Sequence, residues 1–109
     1  MIGRRLLVCA GLILAMAGSA LAEDAVPTAT VKIENFTFNP ATLTVKAGTT
    51  VTFENADDIP HSVVEKAASF KSKPMDTGET FKVTLSTAGT IDYFCGLHPH
   101  MVGQIIVTP

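Results

Sequence analysis

At 109 residues the chain is one domain at most, and a formal charge of −2 (8 Lys+Arg against 10 Asp+Glu) leaves no basic field. Nucleic acid and anionic membrane are therefore poor partner candidates. Two cysteines, Cys9 and Cys95, are too few for a disulfide framework once the leader below is set aside.

Met1-Ile2-Gly3-Arg4-Arg5 makes a basic start, an apolar run extends from Leu6 to about Ala17, and Ala20-Leu21-Ala22 has the form of a cleavage site. Residues 1–22 thus read as a secretory signal peptide. The apolar run falls short of the ~20 residues that a membrane span needs. Val8 stands before Cys9 where a lipoprotein signal takes a small residue, so Cys9 belongs to the discarded leader. Removal of 1–22 leaves a domain over 23–109 with six lysines against ten acids, a formal charge of −4, and Cys95 as its one cysteine. The expected product is exported to the periplasm, free of the membrane after cleavage, and monomeric. An unpaired thiol in an oxidising compartment needs protection, by burial as a small core hydrophobe or by a metal.

Glu23–Thr30 is small and polar and reads as a loose leader. Thr30–Phe38 alternates apolar and polar residues with a shift of phase near Asn35, and Asn39-Pro40 turns the chain. Short strands follow at Leu43–Lys46 and Thr50–Asn55. Asp57-Asp58-Ile59-Pro60 breaks the pattern, and His61–Glu65 resumes extended. Lys66–Thr77 is irregular and reads as a loop or a short helix. Glu79–Ser86, Thr90–Cys95 and Gly103–Val107 complete the strands, with Ala88-Gly89 as a turn. Short strands at roughly 8–12-residue spacing predict an all-β, antiparallel Greek-key sandwich of about 7–8 strands.

The stretch Asp92–Gly103 concentrates the chemistry. Cys95, His98 and Met101 are spaced by three, so one tight loop offers thiolate, imidazole and thioether to one point. Trigonal His₂Cys with a weak axial Met is a copper electron-transfer donor set. The second histidine would be His61, the one histidine outside the stretch. A buried thiol, a core methionine and an isolated histidine are the ordinary alternatives, and zinc also accepts Cys and His.

The loop resembles the metal loop of the cupredoxins, the small blue-copper proteins, and its short spacing is most similar to the amicyanin type. The resemblance runs from about Val31 to Val107. It includes Val51-Thr52-Phe53-Glu54-Asn55, Pro60-His61-Ser62-Val63 and Ala88-Gly89-Thr90-Ile91-Asp92-Tyr93. It implies His61, Cys95 and His98 as in-plane copper ligands and Met101 as the axial one. It also implies that Asn55 ties the two ligand-bearing segments together by hydrogen bonds. Three features depart from amicyanins: Phe53 where they have Trp, a shorter segment between His61 and Cys95, and His100 in place of an aromatic residue.

These readings imply an exported carrier that cycles one copper ion between Cu(I) and Cu(II) while exchanging electrons with a donor and an acceptor redox protein. Pro60, Leu97 and Pro99 are candidates for an apolar docking patch around His98, and Met75 reads either as part of that patch or as a core filler. His100 reads as a solvated rim histidine, and Asp57-Asp58 as a solvated turn that could steer a basic partner. The alternative is a copper-trafficking module, which His100 favours as an additional donor at the edge. No paired carboxylates, nucleophile elbow or phosphate loop suggests an enzyme.

Overall fold

A computed structural model of the chain describes residues 26–109; the predicted export signal over 1–22 lies outside them. Eight strands form: β1 (Thr28–Glu34), β2 (Thr37–Asn39), β3 (Thr42–Lys46), β4 (Thr49–Asn55), β5 (Val64–Glu65), β6 (Thr80–Leu85), β7 (Gly89–Phe94) and β8 (Val102–Thr108). They make two four-stranded sheets, ordered β2-β1-β4-β6 and β3-β8-β7-β5. The all-β sandwich is as expected, but its sheets are mixed. β1 pairs parallel with β4 and β3 parallel with β8, while the other pairings are antiparallel. The chain leaves the first sheet after β2, gives β3 to the second and returns as β4. That sheet change brings β4 alongside β1 in the same direction.

The period of two along each strand decides what reaches the core and what reaches its end. On β4, Thr49, Val51, Phe53 and Asn55 are buried in alternation, so an apolar row finishes on a polar residue at the edge of the sandwich. On β7 the same alternation carries Tyr93 and then Cys95 inward. Val31, Ile33, Phe38, Val107 and Ile105 belong to the same interior. Tyr93 sits at its centre, edge-on to Phe38 at 4.7 Å and to Phe53 at 5.2 Å between ring centroids. Such arrangements suit the aromatic quadrupole. Gly103, opposite Tyr93 in the β7–β8 ladder, leaves room for this ring: a Cβ there would overlap Tyr93 Cζ and Oη.

Several segments differ from the sequence expectation. β1 starts at Thr28, which pairs with Thr50, so the leader is shorter than predicted. The shift of phase at Asn35 is a hairpin: Glu34 faces Thr37, and Asn35 (φ 53°) and Phe36 (φ 57°) form a two-residue turn. Of His61–Glu65 only Val64–Glu65 is strand. His61 instead exchanges backbone hydrogen bonds with Met75 (Met75 N–H to His61 O 2.7 Å; His61 N–H to Met75 O 3.2 Å). The 66–77 segment is a loop, consistent with its mixed composition.

Candidate metal centre

The spacing of three in Cys95-x-x-His98-x-x-Met101 has a backbone cause. His98 N–H donates to Cys95 O (3.2 Å) and Met101 N–H donates to His98 O (2.9 Å), so two successive β-turns meet at His98. Pro99 occupies the second position of the second turn, where its fixed φ is preferred. Cys95 N–H to Met101 O (3.0 Å) closes the loop. Residues at turn corners are held by backbone bonds, and three of the predicted donors stand at these corners.

His61 arrives from the far side of the sandwich end. Its ring is fully buried, and Cys95 Sγ lies 3.7 Å from His61 Nδ1 and 3.7 Å from His98 Nδ1. One ligand atom from each of the three lies within 4.8 Å of the others. Bonds of about 2.3 Å to sulfur and about 2.0 Å to nitrogen, in trigonal or tetrahedral arrangement, put the donors about 3.5–3.7 Å apart. The observed separations fit one ion, and a thiolate with two imidazoles suits copper. Met101 is buried on the same loop, and His98 is only partly covered.

The buried His61 ring is oriented by Asp57. Its Nε2 lies 2.7 Å from Asp57 Oδ2, which puts the proton on Nε2 and leaves the Nδ1 lone pair facing Cys95. A carboxylate behind a ligating histidine fixes both tautomer and ring orientation. The same carboxylate accepts Asn35 N–H (2.7 Å, Oδ1) and Phe36 N–H (3.0 Å, Oδ2). These backbone donors, Phe36 first, and the His61 ring hold the Asp57 carboxyl below the usual carboxylate range, against the opposing pull of desolvation. Asp57 is therefore a structural junction and departs from the expected solvated turn, whereas Asp58 is exposed.

Asn55 acts differently from the expectation too. Its amide donates to Ile59 O (2.9 Å) and Met75 O (2.8 Å), and its Oδ1 accepts Asp57 N–H (2.9 Å). It shapes the loop that carries His61 and joins it to the Met75 segment, without reaching the Cys95 loop. Ser62 makes that connection: its N–H points at Cys95 Sγ (3.4 Å) and its Oγ accepts Gly96 N–H (2.9 Å). The approach is close enough that a Cβ on Gly96 would lie 2.8 Å from Ser62 Oγ.

Around the site's rim, Pro60, Leu97, Pro99 and His100 are exposed, but Met75 is buried and belongs to the core. Phe36 takes a place at the surface that the sequence reading did not give it. It is edge-on to His61 (5.4 Å) and to His98 (5.2 Å). The signal was present in the sequence as a bulky residue after Asn35 in a hairpin turn, where glycine is preferred.

Comparison with known proteins agrees with this geometry. Residues 6–107 match the Cupredoxin-like domain. The chain belongs to the cupredoxin family. Among relatives, this cupredoxin is 33% identical to amicyanin of Paracoccus versutus over 93 residues, covering 81% of this chain and 70% of that protein. A purple cupredoxin from Nitrosopumilus maritimus superposes with a TM-score of 0.69 at 30% identity, over 73% of this chain and 99% of that one. A copper-containing nitrite reductase from Thermus scotoductus superposes with a TM-score of 0.71 at 28% identity, over 79% of this chain but 23% of the larger protein.

Proposed function

We propose that this cupredoxin is an exported blue-copper electron carrier whose single ion is held by His61, Cys95, His98 and Met101. The observation that carries the reading is the buried Cys95 sulfur with two imidazole Nδ1 atoms each 3.7 Å away, one ring buried and the other partly open. Copper, when bound, supplies a one-electron Cu(I)/Cu(II) couple.

The chain's own residues supply the rest. Two linked turns hold Cys95, His98 and Met101 by backbone bonds, so the donor positions change little when charge changes. Asp57 keeps His61 in the tautomer that presents Nδ1. The Ser62 N–H tempers the thiolate's charge, whereas burial of Cys95 makes net charge at the site more costly; these opposing effects are the protein's means of setting a potential. His98 brings the site to the surface, where Phe36, Pro60, Leu97 and Pro99 are exposed. That apolar rim suits transient docking of a donor and an acceptor redox protein. The mature form is taken as 23–109, monomeric and periplasmic; among the described residues no helix is long and apolar enough to cross a membrane.

Copper trafficking is the second reading, favoured by the exposed His100 two positions from His98. Full burial of His61 and Cys95 opposes it, because an ion behind them is not offered for exchange. Repeated reduction and reoxidation beside a Cu(I) chelator separates the two. The carrier keeps its copper through the cycles; a trafficking module surrenders it on the first reduction.

A further inference from the structure

Phe36 breaks a local rule. A two-residue hairpin turn with φ > 0 at both central positions takes Asn-Gly most readily, and Asn35 is present but Phe36 follows it. At φ 57° a bulky side chain sits in the left-handed region that L-residues avoid. The residue is also 52% exposed, so core packing gives no reason for it. Departures of this kind collect at functional sites, where surrounding contacts hold them.

The surrounding contacts here are specific. Asp57 accepts the Phe36 N–H and the Asn35 N–H, and the same carboxylate receives His61 Nε2. The ring then stands edge-to-face against both imidazoles, at interplanar angles of 89° to His61 and 88° to His98. His61 and His98 themselves lie 5.1 Å apart. One ring thus abuts the outer side of two histidines that come from different parts of the chain.

We propose that Phe36 is a positioning residue, which holds the His61 and His98 rings in their metal-binding orientation. It thereby slows the ring rotation through which copper would be lost. The inference rests on the copper-site reading above, but its first consequence concerns the metal-free protein. His98 gains most, because His61 is already pinned by Asp57 whereas, among the described residues, the His98 ring has no comparable polar partner.

Phe36→Gly is the informative variant, since it creates the preferred Asn-Gly turn while removing the ring. It should melt at or above the wild-type temperature without metal, yet release copper to an excess of chelator about tenfold faster, a typical outer-contact effect. Phe36→Tyr should restore the wild-type rate. In the metal-free wild type, nuclear Overhauser contacts should link the Phe36 ring to both imidazoles. They should give way in Phe36→Gly to averaged His98 side-chain couplings. Wild-type release rates in Phe36→Gly, or fixed His98 couplings without the ring, would overturn the proposal. So would release rates that track only the loss of metal-free stability across Phe36→Ala, Phe36→Leu and Phe36→Gly. A wild type that binds no copper would defeat the electron-carrier reading and leave the metal-free measurement to decide the role of Phe36.

Discussion

Replacing Asp57 by Asn keeps shape and removes one acceptor, and the hydrogen-bond count shows why that should matter. Three donors converge on two oxygens: Asn35 N–H on Oδ1, and Phe36 N–H with His61 Nε2–H on Oδ2. An amide has a single oxygen. If that oxygen faces Asn35, the NH₂ group meets two N–H donors. If it faces Phe36 and His61, the NH₂ meets Asn35. In the first arrangement His61 escapes the clash only by moving its proton to Nδ1, the atom that faces Cys95 Sγ at 3.7 Å and must be bare to bind a metal, while Phe36 N–H stays opposed to the NH₂. Removing a partner that orients a ligating histidine costs about 10–100-fold in metal affinity, which is about 1.4–2.8 kcal/mol. The displaced donors should also lower metal-free stability by about 1–3 kcal/mol, given that His61 is fully buried. At roughly 4–8 °C per kcal/mol for a domain of this size, the melting temperature should fall by about 4–24 °C. Competition against a chelator of known affinity measures the first effect, and thermal unfolding of the metal-free protein measures the second. An Asn variant that binds copper within about twofold of wild type would refute the tautomer-fixing role assigned to Asp57.

Other expectations follow from particular contacts. Gly103→Ala should force the buried Tyr93 ring out of place and lower stability by about 2–3 kcal/mol or more, seen as a lower denaturation midpoint with copper ligation otherwise intact. Ser62→Ala deletes the acceptor for Gly96 N–H but keeps the N–H aimed at Cys95. It should cost about 1 kcal/mol of metal-free stability and leave the visible spectrum of the copper form nearly unchanged. The pH dependence of the metal-free protein should have two limbs. Asp57 and Glu65 titrate lower in the folded state; for Glu65 the Ser69 N–H leads, with the Ala67 N–H and the Ser69 hydroxyl. The unfolded chain therefore binds protons first, and stability present above about pH 4 is lost as pH falls below it. Burial pushes the Tyr93 phenol up, so the stability it contributes below about pH 10 declines as pH rises beyond it. Equilibrium unfolding across pH checks both limbs.

Local spacing made much of this protein legible, and long-range geometry hid the remainder. The alternation along Thr50–Asn55 and Ile91–Cys95 survives as inward rows that end on Asn55 and Cys95. Cys95, His98 and Met101 are readable because one turn spans three residues, so sequence spacing and spatial spacing coincide. Asp57 was not readable, because its carboxylate joins residues 21 and 22 positions earlier to a histidine four positions later. Alone, Asp57-Asp58 looks like any polar turn. Met75 reads equally as rim or as core filler from sequence, and its backbone pairing with His61 decides for the core. The parallel pairings β1–β4 and β3–β8 depend on which sheet β3 joins, a choice that a period of two along a strand does not encode.

The central claim, a copper ion held by a buried thiolate and two histidines, is tested most directly by titrating the mature protein with Cu(II) while recording its visible spectrum. One equivalent should produce intense thiolate-to-copper absorption that bleaches on reduction, returns on reoxidation with the metal retained, and is absent in Cys95→Ser. A colourless adduct, or colour that persists in Cys95→Ser, would contradict the account.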